Sequence, residues 1–319
     1  MKNLKVIVSG GGTGGHIYPA IAIADEIKRR YPDTQFLFVG ASDRMEMEKV
    51  PAAGYKIKGL WISGIQRRLF SINNLLFPFK LMSSLWNAKK IVKQFQPDIA
   101  IGTGGFASGP LLYMASVKEV PPLIQEQNSF PGVTNRLLAK SVSKVCASYE
   151  EVTRFFPKEK VMITGNPIRE DIKNETVSKE EAKKHFGLNP HKKTIFVCGG
   201  SLGARAIKQA RRAKTEVLKA NPQIQVLWQA GKLYIEEYSQ SDTAKLPNVK
   251  ISQFIDRMDL AYHMADVIIA RAGALTISEL CLVAKPAILI PSPNVSEDHQ
   301  TKNAMALVER EAAIILKDK

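Results

Sequence analysis

The 319-residue sequence has no apolar run approaching the ~18 residues a membrane-crossing helix needs. Cysteine is scarce: Cys146, Cys198 and Cys281 stand far apart, with no C-x-x-C pair. That excludes a disulfide framework and a thiolate zinc site, and it fits a reduced compartment. No secretory leader is expected, because Lys2 and Lys5 flank Leu4 and the apolar stretch Val6 to Val8 is too short for a signal core. The Asp-x-Asp signature of metal-dependent sugar transfer is missing, and the histidines and cysteines do not cluster at ligand spacing. No metal and no cofactor is therefore expected. Negative charge is also thin: 30 Asp and Glu face 45 Lys and Arg, a net +15, which favours an acidic partner.

What is present is alternation. Short β-branched runs, Lys5–Ser9, Gln35–Val39, Ile99–Gly102, Leu123–Gln125 and Lys144–Ala147, are followed by a second series, Thr194–Cys198, Gln225–Gln229, Val249–Ser252, Val267–Ala270 and Ala287–Ile290. Amphipathic stretches such as Pro19–Arg30, Leu81–Gln94, Ala204–Ala220 and Thr276–Val283 lie between them. Strand–helix alternation predicts an α/β fold with parallel sheets covered by helices. Each series opens on a strand and a Gly-rich turn, so two Rossmann-like domains facing a cleft are expected, 1–166 and 167–319. The join is placed near "ITGNPIRED".

The first turn, "VIVSGGGTGGHIYPA", satisfies G-x-G-x-x-G through Gly10, Gly12 and Gly15, in strand–turn–helix context. Three readings are open: a nicotinamide dinucleotide site, another phosphate cradle, or a tight turn without ligand. A dinucleotide site wants an acid at the end of the second strand. Here "QFLFVG" ends in Gly40, followed by Ala41 and Ser42, and Asp43 comes three residues past that end. Two further Gly-rich turns, "IGTGGFASGP" and "CGGSLGA", also close strands, and helix N-termini behind such turns offer free N–H groups to anions.

Between Glu48 and Asp98 there is no acidic residue, yet that interval holds Lys49, Lys56, Lys58, Arg67, Arg68, Lys80, Lys89, Lys90 and Lys93. Trp61, Leu69, Phe70, Leu75, Leu76, Phe77, Phe79 and Trp86 are interleaved. Cations mixed with aromatic and aliphatic side chains suit an anionic lipid surface. The alternatives are a solvated helix face over ordinary core, or nucleic-acid binding, for which no helix-turn-helix, zinc-finger or RNA-binding signature exists.

"GGGTGGHIYPA", "GTGGFASGP", "EQNSFPGVTNRLLAK", "GNPIR", "GGSLGAR", "QFIDRMDLAYHMADVIIARAGALTISEL" and "PSPNVSEDHQTKNA" together resemble the MurG family of peptidoglycan N-acetylglucosaminyltransferases, from about residue 5 to residue 316. The resemblance implies a two-domain GT-B glycosyltransferase. It would move N-acetylglucosamine with inversion from UDP-N-acetylglucosamine to the muramoyl sugar of lipid I, giving lipid II, at the cytoplasmic face of the bacterial inner membrane. An N-terminal acceptor- and membrane-binding domain would be followed by a C-terminal UDP-sugar domain. The family pattern runs several dozen residues past Lys319, through terminal helices.

Residue by residue, the resemblance implies His16 as catalytic base, with a structural or helix-start role as the alternative reading. For UDP-N-acetylglucosamine it implies Thr13, Gly14, Gly15, His16, Asn128, Arg169, Ser201, Ile255, Ala274, Leu275, Thr276, Glu279 and Gln300. In that set Arg169 serves the diphosphate and Glu279 the ribose, and the Ile255 backbone reads the uracil edge. His299 stands where many relatives carry glutamine, and Gln125 where they carry histidine, so that histidine's role cannot transfer. Glu126 is a further acceptor-side candidate. The acceptor diphosphate is expected at Gly11, Gly12, Gly104 and Gly105, and membrane contact at Trp61, Arg67, Arg68, Leu75, Phe77, Phe79, Lys80 and Trp86.

Overall fold

A computed structural model describes residues 3–64, 72–173, 177–199, 211–293, 295 and 298–318. The chain divides into two compact units, Met1–Pro167 and Ile168–Lys319.

In the first unit β1 (Lys5–Gly10) leads into α1 (Gly14–Arg30). Then come β2 (Gln35–Ala41), α2 (Glu46–Ala52), β3 (Ile57–Leu60), α3 (Ile72–Leu75) and α4 (Phe77–Phe95). The second half runs β4 (Ile99–Gly104), α5 (Ser108–Val117), β5 (Pro122–Glu126), α6 (Val133–Leu138), β6 (Lys144–Ala147) and β7 (Val161–Ile163). The seven strands form one parallel sheet in the order β3-β2-β1-β4-β5-β6-β7. Val6, Ile7 and Val8 of β1 are wholly buried, as expected of a central strand covered on both faces. Ile7 joins the cluster under α4 and α5, while Val6 and Val8 join the one under α1.

The strand order reverses between β1 and β4. In open α/β sheets that switch point is where ligands bind, beyond the strand C-termini. The two Gly-rich turns of this unit follow those two strands.

The helix α1 begins a full turn before the predicted Pro19. Thr13, extended at φ −144° and ψ 158°, precedes its first residue, and Gly14 and Gly15 are already helical. Proline at the sixth helical position gives up one bond, to the Gly15 carbonyl, near a terminus where such losses are small.

The second unit starts with α7 (Lys179–His185), closed at its N-terminus by a Ser178–Glu181 capping box. It continues through β8 (Lys193–Cys198), α8 (Arg211–Ala220), β9 (Ile224–Gln229), α9 (Ile235–Ser239), β10 (Val249–Ser252) and α10 (Met258–Met264). β11 (Val267–Ala270), α11 (Ala274–Val283), β12 (Ala287–Leu289), α12 (His299–Val308) and β13 (Ile314–Ile315) complete it. Its parallel sheet runs β10-β9-β8-β11-β12-β13, with the switch point between β8 and β11. The predicted helix over Ala204–Ala220 is described only from Arg211, and the turn after β8 lies outside the described residues.

Candidate functional site

At the β1/β4 switch point the polar groups form a closed set. The Ser9 hydroxyl donates to Val39 O, and Ser108 Oγ donates to Ser9 O and Gly104 O. Thr103 Oγ1 donates to the carbonyl of His16 at 2.6 Å, tying α1 to β4. The turns meet main chain on main chain. A Cβ on Gly105 (φ +93°) would collide with the Gly11 carbonyl, and one on Gly104 (φ +109°) would lie 2.7 Å from His16 Nδ1. Both positions also adopt the left-handed backbone that glycine tolerates.

His16 is half-buried on the first turn of α1. Its Nδ1 lies 2.9 Å from Thr103 O and 3.1 Å from Gln127 Oε1. Both neighbours accept, because Gln127 Nε2 donates to Thr103 O, Gln125 O and Gln125 Oε1, which fixes the amide orientation. Nδ1 of the neutral ring therefore carries the proton and Nε2 keeps its lone pair, the arrangement a general base needs. The network runs on to the end of the unit. Gln125 Nε2 and the Ser148 hydroxyl donate to Asn166 Oδ1, and Asn166 Nδ2 donates to Gln127 O. Gln127, wholly buried, is the residue the sequence reading missed, for nothing in "EQNS" separates it from its neighbours.

Several expectations need correction. Gly11 and Gly12 were expected to cradle a diphosphate, but the Gly12 N–H donates to Glu46 Oε2 at 2.9 Å and the Gly11 N–H to Gly104 O at 3.3 Å. The Ala41 N–H donates to the other Glu46 oxygen at 3.0 Å. An internal carboxylate, 1% exposed, thus occupies the place foreseen for a ligand's phosphate. The N–H groups of Gly14 and Gly15, in the first turn of α1 and without intrahelical acceptors, are the amides of this turn positioned for an anion.

Glu126 is likewise a structural hub. Its oxygens accept from Asn128 N and Nδ2, Gly132 N and Asn135 Nδ2. Fully buried, it shapes the loop that presents Asn128 at the same sheet end as His16.

In the second unit the candidates gather beyond β11. Gly273 (φ −66°, ψ 147°) precedes α11, which places Ala274, Leu275 and Thr276 in its first turn and Glu279 one turn further. The Tyr262 hydroxyl donates to Glu279 Oε2 at 2.8 Å. Burial above all, then the Glu279 charge, pushes the Tyr262 phenol well above its ordinary range, with the Arg169 charge opposing. The phenol therefore stays protonated and holds the carboxylate in place. Arg169 belongs to this cluster, since the turn it precedes packs on α10 and α11. Tyr262→Phe is expected to lower stability by about 1 kcal/mol, read as a reduced urea midpoint at constant m-value; an unchanged midpoint would show that the bond contributes nothing.

Gln300 Oε1 accepts from the Ser292 N–H at 2.8 Å, which ties its amide to the loop after β12. Asn303 Nδ2 reaches Ala272 O and draws α12 onto the same turn. Ile255 is 3% exposed and its N–H donates to Gln229 Oε1, so only its carbonyl is available to read a base edge. Arg271, at the end of β11, donates to Ile290 O and Pro291 O and pairs with Asp318 at 2.6 Å. His299 opens α12. Ser201 lies outside the described residues.

The predicted membrane contacts divide. Trp61 (51% exposed), Leu75 (76%), Phe79 (66%) and Trp86 (65%) are open to solvent, and Met82 joins them. Phe79, Met82 and Trp86 fall at i, i+3 and i+7, one face of α4. Phe77 instead packs against the core. Lys80 is buried: its Nζ donates to Ser63 Oγ at 3.0 Å and sits over the Trp61 ring, so its charge is not presented at the surface. Arg67 and Arg68 lie outside the described residues. No described helix is long and apolar enough to cross a membrane.

The glycosyltransferase family 28 N-terminal domain matches residues 6–147, and the family 28 C-terminal domain matches residues 194–319. A protein of Christiangramia forsetii is 60% identical over 316 residues, covering 99% of this chain and 85% of the relative. Another, of Flavobacterium psychrophilum, is 54% identical over 318 residues, covering 100% and 86%. Both are named UDP-N-acetylglucosamine–N-acetylmuramyl-(pentapeptide) pyrophosphoryl-undecaprenol N-acetylglucosamine transferase. Among solved structures, MurG of Acinetobacter baumannii is 27% identical with a TM-score of 0.72, covering 99% of this chain and 86% of that one. A UDP-N-acetylglucosamine 2-epimerase of Neisseria meningitidis, 15% identical with a TM-score of 0.66 over 99% and 88%, shares the fold.

Proposed function

We propose an activity from one premise: this chain belongs to the MurG family of glycosyltransferase family 28. It moves N-acetylglucosamine from UDP-N-acetylglucosamine to the 4-hydroxyl of the muramoyl sugar of lipid I, giving lipid II for peptidoglycan. The observation that carries this is 60% identity, across 99% of the chain, to a relative named for that transfer.

The chemistry divides between the units. The acceptor hydroxyl oxygen attacks the anomeric carbon of the donor sugar from the face opposite the diphosphate. A carbon–oxygen bond forms there, the bond to UDP breaks, and UDP leaves with the electron pair. His16 Nε2 takes the hydroxyl proton as the bond forms, its ring held by Nδ1–H against Thr103 O and Gln127. Thr13, Gly14, Gly15 and Asn128 line the approach to His16. Arg169 and the N-terminus of α11 meet the charge that develops on the leaving diphosphate. Glu279 accepts from the ribose hydroxyls, with its orientation set by Tyr262. Leu275, Thr276, the Ile255 carbonyl and Gln300 complete the donor contacts. Gly104 lies against the His16 ring and Gly105 against the Gly11 main chain, and the acceptor's diphosphate meets the first-turn amides of α1.

Lipid I keeps its polyprenyl tail in the bilayer, so the first unit docks there through Leu75, Phe79, Met82 and Trp86, with Trp61 beside them. The chain thereby works peripherally at the inner membrane's cytoplasmic face, which requires no nucleic-acid partner.

Titrating UDP-N-acetylglucosamine into the protein tests the donor side. A charge-assisted pair of ribose bonds removed in Glu279→Ala is expected to weaken affinity about 10- to 100-fold. Unchanged affinity would show that the donor lies elsewhere. Release of UDP only when a lipid I analogue is supplied separates transfer from donor hydrolysis or epimerisation.

A further inference from the structure

In the segment "GNPIR" the transfer reaction uses only Arg169, yet the residues before it are more tightly constrained. Gly165 has φ +72°, and a Cβ there would meet nothing within 4 Å, so this glycine serves a left-handed backbone rather than a close approach. Asn166 follows, and its side chain is bonded inside the first unit. Its Oδ1 accepts from Gln125 Nε2 at 3.1 Å and from the Ser148 hydroxyl, and its Nδ2 donates to Gln127 O at 3.2 Å. Gln125 and Gln127 are both buried, and Gln127 Oε1 stands 3.1 Å from His16 Nδ1. Asn166, Gln125 and Gln127 thus connect the last loop of the unit to the imidazole.

On the other side of Asn166 the chain has little slack. The first unit ends at Pro167 and the second begins at Ile168. Ile168 packs against the core of the second unit, and Ile172 is buried in that core. A single proline therefore separates a residue bonded in one unit from a residue packed in the other. Proline fixes its own φ and holds the residue before it in the extended region. The freest joint nearby is Gly165, upstream of Asn166. A displacement of Ile168 and Arg169 is accordingly taken up at Gly165, and Asn166 is carried along with it.

We propose that Asn166 is a positioning residue that makes the setting of His16 depend on the donor. A diphosphate drawn onto Arg169 shifts the segment, and Asn166 passes the shift through Gln125 and Gln127 to the ring. This rests on the reading of Arg169 as the donor's diphosphate contact and of His16 as the base. The consequence is an order of events: the imidazole takes its working position once a sugar donor is in place.

The test uses UDP as the probe and protein labelled with ¹⁵N-histidine. Five histidines are present, and His16→Gln identifies the ring signals of His16 among them. Saturating UDP is expected to move the His16 signals of the parent. In Asn166→Ala, UDP should bind within about threefold of the parent, while the His16 signals stay where they were. Turnover with saturating donor should fall about 10-fold, the worth of one hydrogen bond. Pro167→Gly keeps every bond of the network and adds slack, so it should bind UDP and lose the His16 response in the same way. A residue that merely stabilised the unit would lower Tm and leave the response to UDP intact. Equal movement of the His16 signals in the parent and in both variants would overturn the proposal, as would a parent that binds UDP with no movement at all; the transfer reading survives either result. Failure of the parent to bind UDP would sink that reading and the proposal together.

Discussion

Replacing His16 by alanine is expected to cut turnover about 10²- to 10⁴-fold, the usual worth of a positioned general base, with affinity for UDP-N-acetylglucosamine changed little. The ring has one exposed task. Its Nδ1–H is held between Thr103 O and Gln127 Oε1, so Nε2 alone can meet a substrate proton. Gln127→Leu separates position from chemistry. It removes one of the two acceptors at Nδ1 and the amide that links Thr103 O to Gln125. Turnover should then fall about 10-fold, equivalent to one hydrogen bond's net worth, and less than in His16→Ala. Single-turnover measurement of UDP release with saturating donor reads both numbers. Full turnover in His16→Ala would remove the imidazole from the chemistry; full turnover in Gln127→Leu would mean that Thr103 O suffices to hold it.

The second large effect is on stability. Glu46→Ala strands two donors, the buried N–H of Ala41 and the part-buried N–H of Gly12, and empties the space their acceptor filled. At about 1–3 kcal/mol for each unpaired buried group, a loss of roughly 2–6 kcal/mol is expected. A domain of this size loses about 2–4 °C in Tm per kcal/mol, so the first unit should melt some 5–20 °C earlier. Glu46→Gln keeps the shape and one acceptor and should lie between. Scanning calorimetry of the three proteins decides it. A Tm within a degree of the parent for Glu46→Ala would mean that water replaces the carboxylate without cost.

Much of this was legible from residue order. Alternating β-branched runs and helical stretches foretold two parallel sheets, and Gly-rich turns at strand ends pointed to the switch points. What escaped has physical causes. Ile57–Leu60 is an edge strand of four residues that carries Lys58 and follows directly on Lys56, so in sequence it merges into the basic stretch around it. Val161–Ile163 and Ile314–Ile315 are too short for a period to register. Gly14 and Gly15 have poor helix propensity, so α1 seemed to begin at proline, although the Thr103 bond to the His16 carbonyl secures the earlier turn. The cradle was misread at Gly11 and Gly12 because a glycine-rich turn shows that something approaches the backbone, not what. Here the approaching groups are Glu46 and a second loop. Glu126, Gln127 and Tyr262 act through other residues, a role that residue type alone does not reveal.

The contact of Gly105 with Gly11 has a consequence for how this scaffold can diversify. The floor under the imidazole is peptide against peptide, so no single side-chain exchange can reshape it without prying the two loops apart. On the proposed reading, tailoring of substrate preference falls to the exposed rim, at positions such as Thr13 and Gly15, while the platform beneath is inherited whole.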